Sequence, residues 1–207
     1  MLISAPALNG GMVGTRNSFF IGFVSTFIAT ILGTLAALGL SRPHMPFKAL
    51  IMSILISPMI VPLIITAAGM FFFYAKVNLV YTFTGIILAH VALSTPFVVI
   101  TVTATLVGFD TNMTKAAQSL GARPMRTFFK VMMPLILPGV ISGALFAFIT
   151  SFDEVVVVMF MASLDELTIP KQMWAGIRQE ISPIILCMAT CLVALSIVLL
   201  TTVELLR

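Results

Sequence analysis

The sequence is poor in charged residues, which make up 9% of its 207 positions, while hydrophobic residues make up 60%. A soluble domain carries about 25% charged residues. A fold of this length therefore lacks the side chains to cover a water-exposed surface, and lipid must solvate much of its outside. The net charge of +4 comes from basic residues in short loops between apolar runs. That placement indicates membrane topology, and we expect no nucleic-acid partner.

Cysteine is scarce, and the common nucleotide-binding and secretion patterns are absent. The two cysteines, Cys187 and Cys191, lie four residues apart in one apolar run without further metal-ligand spacing. We therefore expect them to be small packing residues and expect no metal site. No Gly-Lys dipeptide occurs, which excludes a P-loop, and we expect no cofactor bound by this chain. Residues 1–12 contain no basic residue, unlike the start of a signal peptide.

Five apolar stretches are long enough to span a bilayer, because a helical span needs about 20 mostly apolar residues. They cover residues 18–40, 50–74, 81–107, 135–161 and 183–206. We therefore predict an all-α integral membrane protein with five transmembrane helices, in a single transmembrane domain over residues 1–207. Pro58 and Pro62 in the second stretch and Pro96 in the third predict interruptions, since proline lacks an amide donor.

The orientation is predicted by the distribution of lysine and arginine among the four loops. The first and third loops hold six basic residues: Arg42, Lys48, Lys115, Arg123, Arg126 and Lys130. The second and fourth loops hold three: Lys76, Lys171 and Arg178. The first and third loops are therefore expected in the cytoplasm, with the N-terminus outside and the C-terminus inside. An outside N-terminus without a signal predicts either an upstream helix absent from this sequence or a short tail that crosses unaided.

Small residues recur at every fourth position in two of the apolar stretches. The first stretch holds Ser25, Ala29, Gly33 and Ala37. The fourth stretch holds Gly139, Gly143, Ala147 and Ser151. Such ladders let helix backbones approach closely. We expect them to pack within the chain, and the alternative is a contact between two chains.

The third loop, residues 108–134, is too apolar for a solvated connection. Asn112 or Thr114 is predicted to cap a short helix that runs through Leu120. Gly121 then supplies a stop with positive φ, and Pro124 suits the first turn of a second short helix. This elbow has a basic outer side and apolar anchors, Leu120, Phe128, Phe129 and Val131. It suits docking into a groove of a partner protein, with an amphipathic helix on anionic lipid as the alternative.

The loop contains Lys115-Ala116-Ala117, Gly121 and, nine residues later, Val131-Met132-Met133-Pro134. This spacing resembles the EAA loop of ATP-binding-cassette importer permeases, in which Glu-Ala-Ala, Gly and Ile-x-Leu-Pro occur at the same intervals. The resemblance implies a cytoplasmic coupling helix that sits in a cleft of an ATPase. The coupling residues that it implies are Lys115, Ala116, Ala117, Gly121, Ala122, Arg123 and Pro134. Lys115 replaces the usual glutamate, which reverses a charge at the docking surface, and Met133 replaces the usual leucine.

Five further stretches, residues 57–62, 95–99, 151–157, 168–174 and 181–183, resemble the spermidine/putrescine class of these permeases. The resemblance implies a subunit of a bacterial inner-membrane importer for polyamines or a related small amino compound. It implies as partners a cytoplasmic ATP-binding-cassette ATPase dimer that binds ATP and Mg²⁺, a second permease subunit, a periplasmic or extracellular solute-binding protein, and membrane lipid. Family members usually have six helices, so the first is expected to be missing from this sequence.

Asp153 and Glu154 lie in the outer part of the fourth apolar stretch. A charge at membrane depth costs several kcal/mol unless it faces water, a partner or a cation. We therefore place Asp153, Glu154 and the neighbouring Ser151 on the substrate pathway, and the alternative is a helix end that faces solvent. The competing functions are a passive channel, which needs no coupling elbow, and an intramembrane enzyme. For an enzyme, His90 and the adjacent acids form no catalytic motif, and we expect no catalytic residues.

Overall fold

The computed structural model describes residues 5–42, 44–163, 165–179 and 183–205, and all regular structure in these ranges is helical. The α-helices are α1 (Ala5–Leu40), α2 (Lys48–Ile60), α3 (Leu63–Lys76), α4 (Phe83–Val107), α5 (Thr111–Ser119), α6 (Pro124–Thr127), α7 (Met133–Phe152), α8 (Val156–Met161), α9 (Ile169–Gln179) and α10 (Pro183–Leu205). A π-helical segment, Phe128–Met132, joins α6 to α7. The predicted all-α fold is confirmed.

Helices α1, α4 and α7 form the central bundle. At one end, Ile21 of α1 and Ile86 of α4 share a buried cluster. At the other end, Ala37 of α1, Val102 of α4 and Ile136 of α7 share a second one. Helices α1 and α4 therefore run in the same direction, and α7 runs back. We call the end at which α4 ends and α7 begins the elbow end, and the opposite end the far end.

The two ladders of small residues form the contacts inside this bundle. Ser25 of α1 is fully buried and donates a hydrogen bond of 3.3 Å to the carbonyl oxygen of Ile87 in α4. A Cβ atom added to Gly33 would lie 2.6 Å from Cβ of Val98 in α4, and one added to Gly143 in α7 would lie 3.0 Å from Cα of Val98. Packing within the chain, as predicted for both ladders, is confirmed.

The predicted span over residues 50–74 is not one continuous helix. It consists of α2 and α3, whose axes bend by 105° at the break between them. Pro62 immediately precedes α3, so its missing N–H group falls where a helix leaves amides unpaired in any case. Pro58 and Pro96, by contrast, lie inside α2 and α4 without ending them. Of the three interruptions predicted at proline, only the one at Pro62 breaks a helix.

Three helical stretches among the described residues are long and apolar enough to cross a membrane, and the bent pair α2–α3 supplies a fourth if it counts as one span. The three are Val13–Leu40, Phe83–Val107 and Pro124–Phe152. Helix α10 contains a shorter apolar stretch, Ala189–Leu199. The lengths and composition support a multi-pass membrane protein, while the number of five spans stays a prediction.

Two predicted helix boundaries are wrong. Helix α1 begins at Ala5 and not near residue 18. The polar residues Asn17 and Ser18 lie inside this helix and are buried, with contacts to Asp165 and Ile169. The predicted helix over residues 135–161 stops at Phe152, and α8 begins at Val156. Asp153 and Glu154 therefore lie in the break between two helices and not on one continuous helix.

Candidate coupling elbow and solute pathway

The elbow has the predicted helix–glycine–helix form. Helix α5 ends at Ser119, Gly121 has a φ of +82°, and Pro124 begins α6. The prediction that Asn112 or Thr114 caps α5 is wrong, because Asp110 accepts a hydrogen bond of 2.9 Å from the backbone N–H of Asn112. An aspartate directly before a short helix is among the favoured N-caps, so the sequence contained this signal.

Most of the proposed coupling residues are exposed. Lys115, Ala116, Gly121, Arg123 and Pro134 are exposed, whereas Ala117 and Ala122 are half-buried. The structure thus brings these residues together on the elbow and leaves most of them accessible to a partner. Their role in coupling stays a prediction.

The residues that attach the elbow to the bundle differ from those predicted. Leu120 is 90% exposed and Phe129 is 59% exposed, so neither anchors the elbow within this chain. Phe128 and Val131 are half-buried. The most buried residue of the elbow is Thr127, whose hydroxyl donates to the carbonyl oxygen of Arg123. This bond lies within the elbow, and no apolar pattern in the sequence indicates that a threonine is buried there.

An open cleft of about 300 Å³ lies at the base of the elbow. It is formed where α4 ends, α5 begins and α7 starts, and its lining includes Thr105, Phe109, Asp110, Met113 and Leu135. The cleft gives the elbow end a concave apolar surface beside the exposed outer side of α5.

The three pathway candidates have different environments. Ser151 is buried, and its hydroxyl oxygen lies 2.8 Å from Nδ1 of His90 in α4. Glu154 is also buried, and its Oε1 accepts a hydrogen bond of 2.8 Å from the backbone N–H of Val157. Asp153 follows the last residue of α7 and is exposed. Of the two carboxylates, one therefore caps α8 and the other is accessible, while their pathway role stays a prediction.

Only one of the two ring nitrogens of His90 has a hydrogen-bond partner. Its Nδ1 meets Ser151, but its buried Nε2 has no hydrogen-bond partner in the structure. One turn further along α4, Ser94 donates to the carbonyl oxygen of Ala147. These contacts link α4 to the last two turns of α7, directly before the break at Asp153–Val155. They tie the position of that break to the central bundle.

A set of polar contacts holds the connection between α8 and α9 against α1. The Asn17 amide donates to the carbonyl oxygens of Asp165 at 2.8 Å and Leu167 at 3.1 Å. The Ser18 hydroxyl accepts from the first amide of α9 at 2.9 Å. Lys171 donates to the carbonyl oxygen of Ala162. Burial lowers the pKa of Lys171, and the nearby Glu166 carboxylate opposes that shift.

These contacts predict that Asn17→Asp loosens α9. A carboxylate would face the carbonyl oxygens of Asp165 and Leu167, so two hydrogen bonds would become repulsions, at a cost of about 2–3 kcal/mol. We expect a lower unfolding temperature in detergent and a red-shifted emission of Trp174, the single tryptophan, which lies on α9. Asn78→Asp at an exposed position is the control and should change neither quantity. Equal behaviour of the two variants would contradict this role of Asn17.

In the described part of the chain, no three histidine, cysteine or acidic side chains lie close enough to hold a metal ion. Both cysteines of α10 are exposed, which corrects the expectation that they pack within the chain. They line an open apolar cleft of about 360 Å³ together with Phe19 and Phe152.

Comparison with known proteins places the chain in a family. Residues 29–207 match the family model described as binding-protein-dependent transport system inner membrane component. The chain is 32% identical over 183 residues to the spermidine/putrescine transport system permease protein PotC of Haemophilus influenzae, and the match covers 88% of this chain and 71% of that protein. It is 30% identical to the putrescine transport system permease protein PotI of Escherichia coli K12, over 84% of this chain and 64% of that one.

A solved structure has the same fold. A chain of the MetNI methionine ABC transporter, in an inward-facing conformation, superposes with a TM-score of 0.78 at 20% identity. The superposition covers 99% of this chain and 100% of that chain, and at this identity it shows the fold alone. The apolar helical bundle, the exposed elbow and these matches agree, and the chain belongs to the binding-protein-dependent transport system inner membrane components, as a multi-pass permease subunit of an importer.

Proposed function

We propose that this permease subunit imports polyamines, such as putrescine or spermidine, or a related small cationic amino compound. The observation that carries the proposal is the exposed carboxylate of Asp153 in a break between two apolar helices. A carboxylate with low-dielectric surroundings attracts a cation more strongly than one in bulk water. The names of the relatives PotC and PotI point to the same class of solute.

In this proposal, ATP hydrolysis by other subunits supplies the energy for transport. A cytoplasmic ABC ATPase dimer binds ATP and Mg²⁺ and docks on the elbow, through Lys115, Ala116, Ala117, Gly121, Ala122, Arg123 and Pro134. A second permease subunit completes the pathway, and a periplasmic or extracellular binding protein delivers the solute. The elbow end then faces the cytoplasm, and the far end, where α1 begins, faces outward. The basic residues of the elbow support this orientation in a bacterial inner membrane.

The distribution of charge along the chain supports the direction of transport. Asp110 is the one acidic residue among the first 152, whereas Asp153, Glu154, Asp165 and Glu166 all follow α7 at the far end. The loops at the far end also hold Lys76, Lys171 and Arg178, so this end is less basic than the elbow end and repels a cationic solute less. Release needs weak binding, which one accessible carboxylate provides better than a cage of several.

Uptake by cells with and without the gene tests the proposed solute. Cells that express the complete transport system should accumulate labelled putrescine or spermidine in an energy-dependent manner, and deletion of this gene should abolish that accumulation. Uptake that needs no ATP and stops when the solute concentrations inside and outside the cell are equal would instead favour a passive channel. Undiminished polyamine uptake in the deletion strain, with no other polyamine importer present, would refute the solute assignment.

Neutralising the two acids separately should give different results. Asp153→Asn removes the accessible charge, and we expect KM for a polyamine to rise about tenfold, equivalent to roughly 1.4 kcal/mol of lost attraction. Glu154→Gln keeps an amide oxygen that can accept from the Val157 N–H, so α8 stays capped and KM should change less than threefold. The measurement is initial uptake rate against solute concentration, normalised to permease in the membrane. An unchanged KM in Asp153→Asn would contradict a role of Asp153 in solute attraction and would favour the alternative, a helix end that faces solvent.

A further inference from the structure

The outer side of the elbow lacks a partner within the bundle. Met113, Leu120, Met125 and Phe129 are all exposed large apolar side chains of this short segment. They sit on α5, the turn after it, α6 and the π-helical segment, so the apolar surface extends over the whole elbow. Such a concentration of exposed apolar side chains next to charged ones marks a site of association.

Helix α5 is exposed over most of its circumference, on the side away from Thr114 and Ala117. Its exposed residues are Asn112, Met113, Lys115, Ala116, Gln118 and Ser119. Successive helix residues are about 100° apart, so these positions cover about 220° of the circumference, and the half-buried Thr114 and Ala117 occupy the remaining sector. A helix that lies on lipid presents one broad apolar face, whereas only two of the six exposed residues of α5, Met113 and Ala116, are apolar. The mostly polar exposed side therefore favours a protein groove that receives this side of α5 over a membrane surface.

The basic side chains of the elbow determine which charge a partner groove needs. Residues 108–134 contain four basic side chains and one acidic side chain, Asp110, whose carboxylate already accepts from the Asn112 N–H at the start of α5. Lys115 stands exposed in the middle of α5, where an enclosing groove would meet it. A lysine enclosed by a partner loses water and requires a compensating carboxylate.

We infer that the ATPase served by this permease carries an acidic side chain in its docking groove opposite Lys115, and that this charge pair selects the cognate ATPase. The inference rests on the proposed function, in which α5 docks on an ATPase. It predicts that an ATPase with a basic or neutral groove at that point binds this permease weakly.

Binding of the separately purified ABC ATPase encoded beside this gene to the permease in lipid nanodiscs tests the inference. Lys115→Glu should weaken ATPase binding at least about tenfold, and Lys115→Gln should give an intermediate loss. Lys76→Glu makes the same charge change at the far end and should leave the affinity unaltered. Replacing the groove carboxylate of the ATPase with lysine should restore binding to the Lys115→Glu permease and weaken binding to the wild-type permease.

The outcomes separate this inference from the proposed function. If the ATPase binds Lys115→Glu as tightly as the wild type, while Gly121→Val still uncouples transport, the proposed function stands and the charge pair is wrong. If the ATPase fails to bind the wild-type permease, the proposed function itself fails. If the effect of Lys115→Glu occurs in nanodiscs with phosphatidylglycerol but not in phosphatidylcholine alone, Lys115 meets lipid and the inference is overturned.

Discussion

Replacing Gly143 with valine is expected to disrupt the central bundle and sharply reduce the amount of folded permease. The Cβ atom would meet the hydroxyl of Thr101 and lie 3.0 Å from Cα of Val98, so part of the obstacle is backbone that cannot rotate away. Helices α4 and α7 must then separate, and overpacking of this kind costs about 1–3 kcal/mol or more. The loss also removes the contacts that hold His90 against Ser151.

The control for this variant is Gly39→Val in α1, because no heavy atom lies within 4 Å of a Cβ at that position. Both variants place the same β-branched residue in a long apolar helix. Membrane yield and the unfolding temperature of the detergent-solubilised protein should fall clearly for Gly143→Val and little for Gly39→Val. If membrane yield and unfolding temperature change equally in both variants, the close contact at Gly143 contributes nothing beyond the effect of valine on the helix itself.

Much of this bundle follows from sequence pattern. Long uncharged runs must form helices in lipid because every backbone polar group needs a partner within its own segment. The four-residue ladders through Gly33 and Gly143 show which faces meet, since only small residues allow helices to approach so closely. The turn at Gly121 was predictable for a similar reason, because a positive φ is easy only for glycine.

The break after α7 could not be predicted from an apolar pattern. The residues on both sides of the break are mostly apolar, and α8 restarts after it because the Glu154 side chain accepts from the Val157 amide in its first turn. A sequence shows the glutamate but not the direction of its side chain. Asn17 is a similar case, since its partners are backbone carbonyls of residues about 150 positions later in the chain.

The angle between α2 and α3 also lies beyond sequence reasoning. Pro62 predicts a break, but not a bend of 105°, because the direction of the chain after a break depends on what each helix packs against. Helix α2 buries none of its residues within this chain, so its own sequence contains little that fixes its position.

The second large effect is expected for Gly121→Val, which should uncouple ATP hydrolysis from transport without removing the permease from the membrane. At a φ of +82° a β-branched residue is strained, at a cost of about 1–2 kcal/mol or more. No heavy atom lies within 4 Å of the added Cβ, so the strain is in the backbone and is not a collision. The turn therefore changes conformation, and α5 leaves the position in which a partner groove would receive it.

Gly108→Val tests whether the positive φ is the cause, because Gly108 has an ordinary φ of −82° and the nearest atom to its Cβ is 3.7 Å away. We expect solute-stimulated ATP hydrolysis to fall at least about fivefold in Gly121→Val and to stay near wild type in Gly108→Val. Gly121→Asn should recover part of the coupling, since asparagine tolerates the left-handed conformation better than valine does. This order of activities, glycine above asparagine above valine, follows the cost of a positive φ and not side-chain size. Normal coupling in Gly121→Val would mean that the ATPase docks without this turn, and the elbow would then lose its proposed role.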